Sequence, residues 1–99
     1  MNTTEIKISF WGDFAGQGYF NECLASGHSF NMLGEMVEYI QDSDISVVNL
    51  EAPVLEGGEK IPKSGPNIQA PIHIVSALKT AGVTLVSLAN NHIMDYGET

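Results

Sequence analysis

The chain contains three short apolar runs that are separated by longer amphipathic or loop-like stretches. Apolar residues occupy every second position over residues 6–11, and further apolar runs cover residues 45–50 and 83–88. Alternation is typical of a half-buried β-strand, whereas a short apolar run is typical of a strand buried on both faces. We therefore predict three strands, the first of which ends in a tight turn at Gly12 and Asp13.

Two stretches between these strands have helical spacing. The first has charged residues on one face and an apolar face made by Met32, Leu33, Met36, Val37 and Ile40. Ser29 or Asn31 can cap its start, and Gly34 is its weak point. The second helix is predicted to begin at Pro71 and to end at Gly82. Its predicted apolar face consists of Ile72, Val75 and Leu78, with Ile74 as a further candidate.

The order strand, helix, strand, helix, strand predicts an α/β fold. In such folds the strands are parallel and are joined by right-handed crossovers. Parallel sheets are covered on both faces, and two helices can hardly cover three strands on both. The pattern also calls for another helix after residue 99. We therefore expect residues 1–99 to be the N-terminal portion of one larger domain.

Composition and charge restrict the class of ligand. Twelve acidic residues, four lysines and no arginine give a formal net charge of −8, which argues against nucleic acid as a partner. Without arginine, an anion would have to be held by backbone amides, by lysine or by a bound cation. The glycine- and proline-rich stretch 56–66 is predicted to be a solvated loop. Its lysines, Lys60 and Lys63, could alternatively contact an anionic substrate at the rim of a site.

The start of the chain and its cysteine content bear on the compartment. Residues 1–10 have neither a basic stretch nor a long apolar run, so we predict no signal peptide and no membrane segment. The single Cys23 cannot form an intramolecular disulfide and is interpreted as a buried hydrophobe. Taken as written, the sequence predicts a cytoplasmic protein.

Polar side chains follow each predicted strand. They are Asp13 after the first strand, Asn49 and Glu51 after the second, and Asn90, Asn91 and His92 after the third. Each cluster alone is common turn chemistry, but the carboxyl ends of parallel strands meet at one edge of a sheet. Carboxylate, amide and imidazole donors together suit a divalent metal such as Mn, Fe, Zn or Mg. Three polar residues directly after an apolar strand are also costly unless they are hydrogen-bonded or bind metal.

Three segments carry a resemblance to a known family. Residues 8–13 (ISFWGD), 47–53 (VVNLEAP) and 85–97 (LVSLANNHIMDYG) are similar to the bacterial capsule synthesis protein CapA family. That family is associated with poly-γ-glutamate capsule formation and belongs by fold to the calcineurin-like metallophosphatases. The resemblance implies a four-layer α/β/β/α sandwich, of which this chain would be the N-terminal part. It also implies a dimetal site on loops at the strand ends.

The same resemblance implies roles for individual residues. Asp13, Glu51 and Asn91 would be metal ligands, with Glu51 as the candidate bridge between the metals. His92 would contact the substrate and protonate a leaving group, and Asp95 would orient His92. Two metals in such a site would hold the scissile group and generate a hydroxide nucleophile.

The implied function is that of a metal-dependent, phosphoesterase-like hydrolase acting on a small-molecule or polymer substrate in capsule biosynthesis. The alternative is a non-catalytic accessory or binding component of a polymer synthesis or export complex, with other capsule-synthesis proteins as partners. The remaining metal ligands would lie beyond residue 99, and His28 and His73 are interpreted as surface or packing residues instead. We therefore expect the isolated chain to be inactive, and its uncovered layers make self-association a further expectation.

Overall fold

The computed structural model describes residues 4–16, 22 and 33–98, and its elements follow the predicted order. They are β1 (Ile8–Phe14), α1 (Met36–Asp42), β2 (Ile45–Leu50), α2 (His73–Ala81) and β3 (Leu85–Ser87). The strands form one parallel sheet in the order β1-β2-β3. The α/β class and the parallel arrangement are therefore confirmed. Among the described residues, no helix combines the length and the apolar character needed to cross a lipid bilayer.

β1 continues through Gly12 and Asp13, so the prediction that the strand ends there in a turn is wrong. The strand pairs with β2 in regular register from Ile8 to Phe10, and pairing resumes at Asp13, which lies opposite Asn49. Between these points β1 has one residue more than β2, and a bulge-like irregularity absorbs it. Through this shift the side chain of Asp13 meets that of Asn49.

α1 begins later than its spacing predicts. The helix starts at Met36, and Gly34 just before it has φ +56°, in the left-handed region that a right-handed helix excludes. Val37 and Ile40 are buried, as the helical spacing requires. Three residues of the predicted start lie outside the described residues: Ser29, Asn31 and Met32.

α2 ends where the sequence predicts but buries a different face. Gly82 follows the helix with φ +101°, and its N–H donates to the carbonyl oxygens of Leu78 and Lys79. The buried face consists of Ile74, Ala77, Leu78 and Ala81. Ile72 and Val75 are more than half exposed, so their assignment to the buried face is wrong. The buried positions follow helical spacing, but half of them are alanines, which give a weak hydrophobic signal.

Both helices cover the same face of the sheet. In β2, Ser46, Val48 and Leu50 are buried and therefore share one face. Ser46 Oγ donates to the carbonyl oxygen of Ile40 in α1 at 3.0 Å, while Leu50 belongs to the core cluster of α2. That cluster comprises Leu50, Ala52, Ala70, Ile74, Ala77 and Leu78.

The other face of the sheet stays open within the described part of the chain. On that face Phe10, Val47 and Leu85 lie side by side in register, and Phe10 is 78% exposed and Leu85 55% exposed. The expectation that two helices leave one face uncovered is confirmed. The prediction that β2 is buried on both faces is wrong for the same reason.

Candidate functional site

Side chains at the ends of the three strands form one hydrogen-bonded row. Asn49 Nδ2 donates to Asp13 Oδ1 at 2.6 Å, and Asn90 Nδ2 donates to Asn49 Oδ1 at 3.1 Å. Asn90 Nδ2 also donates to the carbonyl oxygen of Leu50 at 2.9 Å, and Asn90 Oδ1 accepts from the backbone N–H of His92 at 3.1 Å. The strand ends thus converge, as their parallel order requires. We call Asp13, Asn49 and Asn90 the polar row.

Glu51 and Asn91 lie next to the polar row in sequence. The backbone N–H of Glu51 donates to the carbonyl oxygen of Phe14 at 3.0 Å, so the β1–β2 pairing extends one step past Asp13 and Asn49. Glu51 is half-buried and Asn91 is exposed. Neither side chain hydrogen-bonds to another described residue, so the oxygens of both can bind an external ligand.

Asp95 is a buried charged residue at the centre of a second cluster. Its side chain is 1% exposed, and its Oδ1 forms an ion pair with the ammonium group of Lys63. Its Oδ2 accepts from the backbone N–H of Ile68 at 2.8 Å and lies 2.7 Å from His92 Nδ1. The contact between Asp95 and His92 is therefore present in the structure.

The ionisation state of Asp95 determines which ring nitrogen of His92 carries the proton. Burial by itself would raise the pKa of Asp95, but hydrogen bonds from Lys63, Ile68 and His92 outweigh burial and lower that pKa from 3.8 to about 2. Asp95 is therefore ionised at neutral pH and can only accept hydrogen bonds. It follows that His92 Nδ1 is the donor in this contact, which leaves Nε2 as the ring nitrogen available to a substrate.

The lowered pKa of Asp95 predicts an acid-sensitive contribution to stability. A carboxylate whose pKa is lower in the folded than in the unfolded chain stabilises the fold above its unfolded pKa. That contribution disappears as the pH falls from about 4 to about 2. We expect a loss of about 2 kcal/mol in the free energy of unfolding from this group. Urea titrations of the wild type and of Asp95→Asn across this interval measure it: the difference between them should shrink as the pH falls. A difference that stays constant would contradict the prediction.

The described residues supply an incomplete set of metal donors. Within the described ranges, no three His, Cys, Asp or Glu side chains lie close enough together to hold a metal ion. Asp13 and Glu51 do provide carboxylate oxygens at adjacent strand ends, and Asn91 adds an amide oxygen after β3, a donor chemistry that suits divalent cations. The donor types therefore fit a metal, while further ligands are needed. His73 is exposed at the first position of α2, and His28 and Cys23 lie outside the described residues.

The prediction that the stretch 56–66 is a solvated loop is confirmed, because most of its residues, including Lys60 and Lys63, are exposed. The side chain of Lys63 is nevertheless only 21% exposed, and its ammonium group is paired with Asp95, a contact that the sequence did not predict. The two paired residues are 32 positions apart in the sequence, and Lys63 lies in a glycine- and proline-rich loop without periodicity. A single sequence contains no signal that could have revealed this ion pair.

A separate groove lies between the loop after β2 and the turn after β3. Its walls include Val54, Lys60, Leu88 and Tyr96. Neither the polar row nor the predicted metal-ligating and catalytic residues (Asp13, Glu51, Asn91, His92 and Asp95) contribute to its lining. The groove is therefore not part of the candidate site.

The parallel sheet with helices between its strands assigns the chain to the α/β class, and comparison with known proteins identifies its family. The family model of the bacterial capsule synthesis protein PGA_cap matches residues 7–99, and the chain belongs to this family. Among curated relatives, the capsule biosynthesis protein CapA of Bacillus anthracis is 44% identical over 62 residues. That match covers 60% of this chain but only 15% of the relative. The resemblance to the CapA family is therefore confirmed, and the chain corresponds to a small part of that relative's length.

Proposed function

We propose that the protein containing this chain is a metal-dependent, phosphoesterase-like hydrolase that acts in capsule biosynthesis, with poly-γ-glutamate or a related polymer or small molecule as its substrate. The observation that supports this proposal best is the polar row, which joins the carboxyl ends of three parallel strands. Binding sites in open parallel sheets lie at this edge. The row is flanked in sequence by Glu51 and Asn91, whose oxygens make no hydrogen bond to a described residue.

In this proposal the strand ends hold divalent ions, of which Mn, Fe, Zn and Mg are candidates. Asp13, Glu51 and Asn91 are the ligands that this chain supplies, and Asn49 fixes the carboxylate of Asp13 through the 2.6 Å hydrogen bond. When bound, such ions supply Lewis-acid polarisation of the scissile group and activation of water. The hydrogen bond from Asn49 occupies one acceptor position of Asp13, and the rest of the carboxylate would be available to hold a cation.

The proposed role of His92 is to exchange a proton with the substrate through Nε2. Asp95 accepts the hydrogen bond of Nδ1 and thereby fixes the ring and its tautomer. The backbone of His92 is fixed as well, because its N–H donates to Asn90 Oδ1. The residue proposed to contact substrate is therefore attached directly to the polar row.

Metal analysis of the full-length protein tests the proposal. We expect Asp13→Ala, Glu51→Ala and Asn91→Ala each to weaken Mn²⁺ binding roughly tenfold or more, as measured by calorimetric titration. Glu38→Ala is the matched control, because Glu38 is an exposed acid on α1 and lies outside the cluster. Affinity and stoichiometry that are unchanged in all three site variants would exclude the proposed metal site.

One observation favours a non-catalytic alternative. Asn49 and Asn90 already hydrogen-bond to protein groups, so the polar row also serves as a structural link between strand ends. In this alternative the protein is an accessory or binding component of a polymer synthesis or export complex. Polymer production in cells distinguishes the two: His92→Ala abolishes it if the site is catalytic and preserves it if the protein is an accessory component. A fold-disrupting substitution should abolish production in either case.

A further inference from the structure

The loop from Ile61 to Ile68, which we call the 61–68 loop, is folded around Asp95. On the side chain of Asp95, Lys63 pairs with Oδ1 and the backbone N–H of Ile68 donates to Oδ2. On its backbone, the carbonyl oxygen accepts from the N–H of Ile61 at 2.9 Å and from Asn67 Nδ2 at 2.8 Å. Four residues of the loop therefore bind one aspartate of the turn after β3.

The loop also holds its own shape at this point. Asn67 Nδ2 donates to the carbonyl oxygen of Ile61 at 3.1 Å as well as to that of Asp95. The two ends of the loop are thus joined, and Lys63 projects from between them onto the carboxylate. The side chain of Lys63 is 21% exposed, and that of Asp95 is 1% exposed, so the ion pair is largely shielded from solvent.

Beyond Asp95, the next contact leads to His92. Asp95 Oδ2 lies 2.7 Å from His92 Nδ1, and the backbone N–H of Asp95 donates to the carbonyl oxygen of His92 at 3.0 Å. The carboxylate thus connects Lys63 on one oxygen with His92 on the other. If Lys63 is neutralised, Oδ1 loses its charged partner and the carboxylate can rotate or move away from the ring.

We propose that Lys63 is a positioning residue that acts through Asp95 to hold the His92 ring in one orientation and one tautomer, with Nε2 directed to the substrate. The inference rests on the proposed function for the importance of His92, but the contacts that carry it do not involve metal. It extends the site to a loop that neither the polar row nor the strand ends include. A cation that satisfies one carboxylate oxygen leaves the other to the imidazole and the Ile68 N–H.

Nitrogen NMR of the His92 ring in the full-length protein tests this inference. In the wild type we expect a single tautomer that carries its proton on Nδ1. In Lys63→Met we expect this tautomer to lose its dominance, with both ring nitrogens shifting toward averaged values. Lys63→Arg keeps a cation and should restore the wild-type pattern, whereas a purely structural role for the aliphatic stem would be satisfied by methionine.

Lys60→Met is the matched control, because Lys60 lies in the same part of the chain but forms no ion pair or hydrogen bond with a described residue. Its ring spectrum should equal that of the wild type. If Lys63→Met fails to fold, as judged by the backbone amide spectrum, Lys63→Gln takes its place, since glutamine keeps a donor but removes the charge. A wild-type His92 spectrum in the folded neutral variant would overturn the inference.

The readout separates this inference from the proposed function. A changed tautomer in Lys63→Met together with unchanged Mn²⁺ affinity in the three ligand variants would support the positioning role and reject the metal site. The converse pattern, an unchanged tautomer with at least roughly tenfold weaker Mn²⁺ binding in those variants, would reject the positioning role alone.

Discussion

Replacing Asp95 with asparagine is expected to lower the free energy of unfolding by about 3 kcal/mol at neutral pH. The substitution keeps the size of the side chain but removes the charge that Lys63 and the Ile68 N–H bind. It also places an amide NH₂ group where only acceptors fit, so at least one donor loses its partner. Chemical denaturation at pH 7 measures the effect. Under the proposed function, the activity of the full-length protein should fall as well because His92 loses its fixed acceptor.

Asp42→Asn is the matched control for this experiment. Asp42 pairs with Lys7 at 2.9 Å, but the two side chains are 70% and 60% exposed. Exposed ion pairs contribute little to stability because solvent screens them, so we expect no measurable change. Equal losses of stability in Asp42→Asn and Asp95→Asn would contradict the assignment of Asp95 as a buried carboxylate whose hydrogen bonds stabilise the fold.

A double-mutant cycle measures how much of the stability lost in Asp95→Asn comes from the ion pair with Lys63. If Lys63 and Asp95 are coupled, Lys63→Met should cost much less in the background of Asp95→Asn than in the wild type. Additive losses would mean that Asp95 stabilises the chain through Ile68 and His92 alone. The cycle therefore separates the ion pair from the other hydrogen bonds of the carboxylate.

The order of elements could be predicted from the sequence because each depends on local pattern. The apolar runs and the glycine that ends α2 specify three parallel strands and two helices, and the convergence of Asp13, Asn49 and Asn90 follows from that order. In a parallel sheet, residues at or near the carboxyl ends of the strands lie at the same edge. The strand-end part of the candidate site is thus a consequence of topology.

The parts that sequence could not predict depend on contacts between distant segments. The irregularity in β1 is set by pairing with β2, and the polar environment of Asp95 is set by a loop about thirty residues earlier in the chain. Neither has a periodic pattern. The late start of α1 is different, because Gly34 is visible in the sequence as a weak point and its left-handed φ of +56° excludes it from the helix. In that case a glycine overrode the apolar spacing.

Ile74→Ala is expected to lower the free energy of unfolding by about 3 kcal/mol, since it removes a fully buried side chain from the centre of the core cluster. The site is tightly packed: a Cβ atom added at Gly16 would lie 2.7 Å from Ile74 Cδ1. Close packing limits the collapse of the cavity that the truncation leaves, which places the loss in the middle of the usual range rather than at its lower end.

Ile72→Ala provides the comparison that decides which face of α2 is buried. Ile72 is the same residue type two positions earlier, and the sequence pattern places it on the apolar face, yet the structure leaves it 61% exposed. Ile72→Ala is therefore expected to change the free energy of unfolding by less than about 1 kcal/mol, as is usual for an exposed position. Similar losses in Ile72→Ala and Ile74→Ala would contradict this assignment. α2 packs on the strand that carries Asn49, so removal of most of the Ile74 side chain should also loosen the polar row. Under the proposed function, Mn²⁺ affinity should therefore fall in Ile74→Ala and remain at the wild-type value in Ile72→Ala.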